Sequence, residues 1–455
     1  MPAVPASYAR AVFYAFARAV VGFALRLFYR LKVRNLPPDL DGPVIFVGNH
    51  PNSIIDPALL FATLPRRIAF LARAPLFEVP VFGWILRGLG ALPVYRRQDD
   101  PGRTERNEGT FEAASGALLR GGAITVFPEG KSHSEPRLQE IKTGAARIAL
   151  RSLRRGARVR VVAVGLTYAE KHRFRSEVLI DGGEPIDAAV FGTQKGEADA
   201  EAVRALTERI EAALAKVTLN LEQWEDLPLI QTGEELYALR LGDRAHDPDR
   251  LRRFGRGVEL FRREQPERFE HLRGEVITYR RRLELLSARP KDVALAYNRA
   301  LVWKFSVRNA AAILLGLPLF ALGVAVFAVP FYLPRWLTRA LHPSLDRQGT
   351  VKFISTLVLA PIVLASLGLL AWRWGGAAGT SAALAGAIPL AVFTRYFYER
   401  RRIAMRDIRV FLALHSRRLL RAMLLAEGER LAQEIEAAAL EYKPRVMEPA
   451  VGRQP

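Results

Sequence analysis

The sequence predicts an α/β domain, a largely parallel or mixed sheet flanked by helices, followed by a helical extension and a C-terminal transmembrane helical region. Three observations carry this. From about residue 43 to 190, short apolar runs of strand type (PVIFVG, GALPVY, AITVF, VRVVAVGLTY, EVLIDG) alternate with helix-period stretches such as ERNEGTFEAASGALLR and TGAARIALRSLRR, the pattern of an α/β fold. From roughly 196 to 300 the sequence turns charged and helix-periodic, as in DADAEAVRALTERIEAALAKV. Asn309 to Pro334, Phe353 to Trp372 and Trp374 to Thr394 hold no charged residue, and each is about the ~20 residues that a helix needs to cross a bilayer core.

In chain order, residues 1–35 contain AVFYAFARAVVGFALRLFYRLKV, where Arg18 and Arg26 cut apolar sequence into pieces too short to span or to act as a signal peptide. The expectation is an aromatic-rich amphipathic helix lying in the membrane interface with its arginines snorkelling; a helix packed on the soluble domain is the alternative. Residues 36–195 read as the α/β domain and 196–305 as the helical extension. The membrane region is 306–400: 306–334 a re-entrant or broken helix, given Pro318, Pro330 and Pro334, then 353–372 and 374–394 as a transmembrane hairpin. Residues 401–455 read as a basic helical tail on the cytoplasmic side.

This topology rests on where positive charge falls outside the apolar spans. The turn RWGGAAG has only Arg373, whereas 335–352 carries Arg335, Arg339, Arg347 and Lys352, and the chain after 394 carries Arg395, Arg400, Arg401, Arg402, Arg406 and Arg409. Both basic segments then share the side of the α/β domain. Three full crossings, which would export the basic tail, are the competing arrangement.

At 455 residues the chain has room for two or three domains. It has no cysteine, which excludes a disulfide framework, a zinc cluster and a thiol nucleophile, and leaves oxygen, nitrogen and carboxylate groups for catalysis. A formal net charge of +21 favours an anionic partner: nucleic acid, an anionic membrane surface or a phosphorylated substrate. No zinc-finger spacing or RRM aromatic block appears, so nucleic acid is not expected as a partner.

The stretch VGNHPNSIIDP, 47–57, interrupts two apolar runs with His50 and Asp56. Six positions apart on one helix they would diverge by about 120°, so a contact between them needs an irregular turn, which Pro51 and Pro57 support. Asp56 before Pro57 also suits a helix N-cap with proline at the first helical position. His50 follows an apolar strand, where α/β folds expose functional groups, and a neutral imidazole oriented by a carboxylate is a general base for a hydroxyl near neutral pH. With no cysteine and no Gly-x-Ser-x-Gly elbow, the nucleophile would be the substrate's own hydroxyl. The other six histidines lie in charged or basic stretches, with no second His–acid constellation and no metal-ligand cluster.

In AITVFPEGKSHSEPRL, 123–138, a strand ending at Pro128-Glu129-Gly130 enters a tight turn whose backbone N–H groups, with Lys131 and Ser132, could hold an anion; ordinary solvated structure is the other reading. Arg73, Arg87, Arg96 and Arg97 punctuate otherwise apolar sequence. Arg96, after a strand, suits bidentate phosphate recognition or a plain surface position.

The blocks NHPNSIIDP, ALPVYRR, FPEGKSHS and VVAVGLTY, in this order over roughly 150 residues, resemble the four motifs of the glycerolipid (PlsC-like) acyltransferases that make lysophosphatidate and phosphatidate. KTGAARIAL and HRFRSEVLIDGGEPI further resemble the glycerol-3-phosphate branch with a membrane-embedded C-terminal part. The resemblance implies an α/β acyltransferase domain in which His50 deprotonates the acceptor hydroxyl and Asp56 orients it. Arg96, Glu129 and Gly130, with Lys131, Ser132 and Arg73 nearby, would bind the acceptor's glycerol phosphate. Five residues separate His50 from Asp56 where four are common, Arg73 stands where many members have Lys, Lys131 where many have Thr, and Ala163 where Pro is common. The implied acceptor is glycerol 3-phosphate or dihydroxyacetone phosphate, with 1-acylglycerol 3-phosphate as the alternative. The co-substrate would be acyl-CoA or an acyl carrier protein thioester, with no metal and no separate cofactor. Membrane lipids would be the remaining partner, the catalytic domain facing the cytoplasm. A non-catalytic, membrane-anchored binding protein is the reading from another class.

Overall fold

The computed structural model describes residues 6–38, 40–95, 107–192, 200–243, 245, 247–294 and 299–447. These divide into two units: residues 1–218 with 330–359, and residues 219–329 with 360–455.

The first unit opens with α1 (Ala6–Phe28) and β1 (Arg30–Arg34), then β2 (Val44–Gly48), α2 (Ile55–Thr63), β3 (Ile68–Arg73), α3 (Pro80–Gly88), β4 (Leu92–Val94) and α4 (Asn107–Leu119). It continues with β5 (Ala123–Val126), α5 (Gly144–Arg154), β6 (Arg160–Tyr168), β7 (Glu177–Gly182), β8 (Ile186–Asp187) and α6 (Ala200–Val217). The sheet is mixed, in order β1-β7-β6-β2-β5-β3-β4, with β8 on β6. Strands β6, β2, β5, β3 and β4 run parallel, and β7 and β8 run antiparallel to β6.

Both faces of this sheet are covered, which is why the central strands read as unbroken apolar runs. Val44, Phe46, Val162 and Val164 face α1 and α2, while Ile45, Val47, Val161 and Ala163 face α4, α5 and α6. The strand pleat separates the two sets. Because β2, β5, β3 and β4 are parallel, their carboxyl ends lie along one edge of the sheet. Asn49-His50, Phe127 to Gly130 and Tyr95 follow strands at that edge, and Arg73 ends β3 there.

Three expectations change here. The N-terminal helix stops at Phe28, and Arg30–Arg34 (RLKVR) pairs parallel with β7 as an edge strand; its charged–apolar alternation is the period-2 signal, and its basic residues suit an edge. The α/β unit does not end at 195, because α6 buries Leu206, Ile210, Leu214 and Val217 against the second core. Fully burying such side chains is worth about 1.5–3 kcal/mol each, enough to dock an otherwise charged helix. Arg18 does not snorkel: its guanidinium donates to the Leu64 carbonyl at 2.5 Å, at the carboxyl end of α2, where a cation meets the exposed carbonyls. Tyr14, Leu25 and Phe28 bury into the first core while Val12, Phe16, Val20 and Phe23 stay exposed, so α1 both packs on the domain and presents an apolar face.

In the second unit, α7 (Asp226–Leu241), α8 (Pro248–Glu264), α9 (Pro266–Leu285), α10 (Pro290–Ala294) and α13 (Arg418–Met447) share a core that includes Leu236, Phe261, Phe269, Val276, Tyr279, Leu424, Leu431 and Tyr442. The basic tail is therefore a wall of this bundle. Its arginines meet carboxylates of the extension, Arg430 with Glu275 at 2.7 Å and Arg445 with Glu264 at 2.9 Å.

Two long helices connect the units. α11 (Arg299–Leu341) departs from helical geometry at Phe327, and α12 (Leu345–Ser416) does so at Gly376, with φ 58° and ψ −147°. The chain reverses at Gly376: Thr380 Oγ1 donates to the Gly368 carbonyl at 3.1 Å, twelve residues back. The second arm packs on α11, with Phe397 stacked on Phe320 at 4.8 Å. Leu314, Leu315, Leu369, Leu370 and Trp374 are exposed, as suits side chains solvated by lipid. Three helical stretches, Ala9–Phe28, Val307–Leu341 and Leu345–Ser416, are long and apolar enough to cross a membrane; the first corrects the expectation that Arg18 and Arg26 leave pieces too short to span, since the apolar residues around them keep the mean hydropathy at 1.6.

Candidate active site

At the end of β2, Asn49 forms a two-way clamp on β6, its Nδ2 donating to the Leu166 carbonyl at 3.0 Å and its Oδ1 accepting the Leu166 N–H at 2.7 Å. His50 follows. Pro51 to Ile54 make the irregular turn, with Ser53 at φ 46° and the Asn52 carbonyl accepting the Ile55 N–H at 3.0 Å. Asp56 then falls inside the first turn of α2, whose N-cap is Ile54. The N-cap reading of Asp56 is therefore not what forms, and its carboxylate points back to the turn.

His50 Nδ1 stands 2.9 Å from Asp56 Oδ2. The same oxygen accepts the Asn52 N–H at 2.6 Å, and Oδ1 accepts the Tyr168 hydroxyl. Asp56 is fully buried while the His50 side chain keeps 18% exposure. A buried carboxylate that accepts from its other neighbours assigns the proton on His50 to Nδ1, leaving the Nε2 lone pair as an acceptor. Among the described residues Nε2 has no hydrogen-bond partner. The ring stacks on Phe127 at 4.4 Å and 21°, which limits its rotation. Burial, and then the Asp56 charge, push the Tyr168 hydroxyl well above its ordinary pKa, so it stays a donor.

The turn after β5 is closed by the Gly130 N–H on the Phe127 carbonyl at 3.0 Å. Gly130 has φ +70°, so a side chain there meets backbone strain, while the nearby Lys142 side chain, 2.9 Å from where a Cβ would stand, can swing aside. Glu129 is buried. Its Oε1 accepts the His50 N–H at 2.9 Å, and its Oε2 accepts the Gln139 N–H at 2.9 Å and faces His133 Nε2. It ties the backbone of His50 to the 133–139 loop, an arrangement that occupies both of its oxygens. Ser132 is half-buried and donates to Asp346 Oδ2 at 2.7 Å, Lys131 is exposed, and Arg73 is exposed at the carboxyl end of β3. Arg96 lies outside the described residues, one position beyond Tyr95.

The structure thus brings His50, Asp56 and Glu129 into one network, with Gly130, Lys131 and Ser132 in the adjoining turn. It also corrects the expectation of no second His–acid contact, because His133 meets Glu129. Tyr168 and Asn52 were not singled out from sequence, although both sit in the quoted blocks. Lys171 is a further addition: burial lowers its pKa, opposed by Asp56, Asp346, Glu129 and Glu135. Among the described residues no group of three His, Cys, Asp or Glu side chains gathers as a metal site.

Tyr168→Phe is expected to cost about tenfold in kcat with little change in melting temperature, since a hydrogen bond to a charged group is worth about 1.5–3 kcal/mol. Steady-state kinetics with a parallel melt checks this; an unchanged kcat would remove Tyr168 from the site.

The carboxyl edge of the parallel strands thus carries a buried carboxylate and a partly exposed imidazole oriented by it. Residues 30–167, the greater part of the α/β unit, match the family described as Acyltransferase. Curated relatives include Glycerol-3-phosphate O-acyltransferase 2 of Saccharomyces cerevisiae, 30% identical over 289 residues, covering 58% of this chain and 38% of the relative. Glycerol-3-phosphate O-acyltransferase 1 of the same yeast is 26% identical over 256 residues, covering 53% and 33%. The 1-acyl-sn-glycerol-3-phosphate acyltransferase of Streptococcus pneumoniae is 26% identical over 193 residues, covering 42% and 66%. The match therefore spans between a third and two fifths of the length of the yeast relatives. Among solved structures, the 1-acyl-sn-glycerophosphate acyltransferase PlsC from Thermotoga maritima is 21% identical and covers 46% of this chain and 82% of that one, with a TM-score of 0.33.

Proposed function

We propose that this protein moves a fatty acyl group from an acyl thioester, on CoA or acyl carrier protein, to a hydroxyl of a glycerol-phosphate acceptor in phospholipid synthesis. The observation that carries the reading is the His50–Asp56 pair, 2.9 Å apart at the carboxyl edge of the sheet, inside the region that matches the acyltransferase family. The acceptor O–H gives its proton to His50 Nε2 as its oxygen attacks the thioester carbonyl. A C–O bond forms and the C–S bond breaks. The proton on Nε2 then passes to the departing thiolate, so the base is restored and a free thiol leaves. Asp56 holds the tautomer and steadies the transient imidazolium, and Glu129 fixes the backbone that carries His50. Arg73, Arg96 and Lys131 supply positive charge for the acceptor phosphate.

Glycerol 3-phosphate, or dihydroxyacetone phosphate, is the favoured acceptor, supported by the names of both yeast relatives. 1-Acylglycerol 3-phosphate is the second reading, supported by the streptococcal relative. The exposed apolar residues Phe16 and Phe23 of α1, with Val81 and Trp84 of α3, give the domain a surface on which to sit at the bilayer where lipid product leaves. The catalytic domain faces the cytoplasm; a reporter fused at Gly376 is then external and one at Gln348 cytoplasmic, and an external Gln348 would overturn that orientation.

The test is thiol release from long-chain acyl-CoA by the detergent-solubilised full chain, comparing the three acceptors, with acyl carrier protein thioester as the second donor. Release stimulated by glycerol 3-phosphate above the acylated acceptor supports the favoured reading. Stimulation by 1-acylglycerol 3-phosphate alone selects the second, and no stimulation with either donor sinks both.

A further inference from the structure

The groups of the His50–Asp56 network come from strand ends and the start of α2, yet one wall of it is supplied by a segment almost three hundred residues further on. This is the opening of α12, which belongs to the same unit as the α/β sheet. Asp346 accepts the Ser132 hydroxyl at 2.7 Å. Gly349 lies against Asn52: a Cβ at 349 would stand 2.7 Å from Asn52 Oδ1, 3.2 Å from its Nδ2 and 3.0 Å from the Lys171 carbonyl oxygen. Lys352 Nζ donates to the His172 carbonyl at 2.9 Å, and Phe353 is buried in the first core beside Phe28. Positions 346, 349 and 353 recur at the three- and four-residue spacing of a single helix face.

Asn52 is the link to the chemistry. It is fully buried, its backbone N–H donates to Asp56 Oδ2 at 2.6 Å, and its Nδ2 donates to Tyr29 Oη at 3.2 Å. Its Oδ1 is buried with no hydrogen-bond partner, directly where the Gly349 backbone passes. A methyl group at 349 has backbone on one side and this wedged amide on the other. Asn52 must therefore move, and the N–H that steadies Asp56 moves with it.

We propose that the first turns of α12 are a positioning element of the active site: Gly349 against Asn52 sets the His50–Asp56 pair, and Asp346 against Ser132 sets the turn beside it. The entry to the apolar hairpin is then part of the catalytic apparatus and not an anchor alone. Neither residue touches reacting atoms. Their influence is through placement, to which a base acting at hydrogen-bond distance is sensitive. The inference rests on the acyl-transfer reading of His50 and Asp56.

The experiment uses the full chain in detergent and reads acceptor-dependent thiol release. Gly349→Ala is expected to lower kcat about tenfold while the KM for the acyl donor stays within about twofold. Asn52→Ala, which keeps the backbone N–H but removes the obstructing amide, should restore most of that kcat when combined with Gly349→Ala. Asp346→Ala should raise the KM for the acceptor. A Gly349→Ala enzyme with normal kcat, or a loss that the double variant does not relieve, overturns the positioning of the pair. If Gly349→Ala does not fold, Asp346→Ala decides: an unchanged acceptor KM overturns the proposal. His50→Ala, run in parallel, separates the two ideas. If it abolishes release while Gly349→Ala and Asp346→Ala behave as wild type, only this inference falls; if it changes nothing, the acyl-transfer reading falls and takes the inference with it.

Discussion

His50→Ala is expected to lower acceptor-dependent thiol release by about a thousandfold, the middle of the range for losing a general base, with the fold intact. The second half of that expectation follows from the geometry. Removing the imidazole takes one of three donors from Asp56, but the Asn52 N–H and the Tyr168 hydroxyl remain, so the buried carboxylate keeps partners. The ring itself is partly exposed and its main packing contact is the Phe127 face. A circular dichroism melt within a few degrees of wild type, beside a collapse of kcat, is the predicted pair of results. Unchanged turnover would mean that the proton leaves the acceptor by another route, and the proposed mechanism would be wrong at its first step.

Asp56→Asn should cost about a hundredfold or more, for a different reason. A carboxylate has only acceptor sites to offer, and all three neighbours donate to it. An amide brings an NH2 group into that ring of donors. If the NH2 faces His50, Nδ1 has to accept and the imidazole proton moves to Nε2, the nitrogen that should take the acceptor's proton. If the NH2 faces Tyr168, the hydroxyl must reverse against its neighbours. Either way kcat should fall while the KM for the acyl donor changes little, which steady-state kinetics with varied donor can separate. Activity within about threefold of wild type would reduce Asp56 to a helix-start residue that happens to sit near a histidine.

The α/β domain was legible in the sequence because both faces of its central strands are buried, so VIFVG and AITV appear as unbroken apolar runs between helical patterns. The His50–Asp56 contact was legible because Pro51 and Pro57 bracket a turn. What was missed belongs to tertiary structure. Arg30–Arg34 is too short and too charged to stand out as a strand until β7 lies beside it. The stripe on α6 announces a buried face but not which unit buries it. Tyr168 is one aromatic at the end of a strand until the neighbouring strand delivers Asp56. His133 sits in a polar loop, and only the turn at Gly130 folds that loop back onto Glu129. Gly349 carries no signal of its own, since a glycine in a helix declares a close approach only once the neighbour is known.

The pairing of α13 with α8 and α9 also sets an order of events during synthesis. Arg445 and Glu264 are 181 residues apart, and the intervening chain includes both long apolar helices. At roughly 5–20 residues per second, Phe261, Phe269 and Val276 would wait about ten to forty seconds for the helix that closes their core. During that interval α8 and α9 present an unsealed apolar face. α13 is thus made after the helices whose seam it closes, and a ribosome that stalls or terminates early in α13 would release a chain whose hydrophobic seam stays open. Truncation before Leu424 should therefore mark the nascent protein for chaperone capture or proteolysis, even though His50, Asp56, Glu129, Tyr168 and Asp346 have all been translated by then.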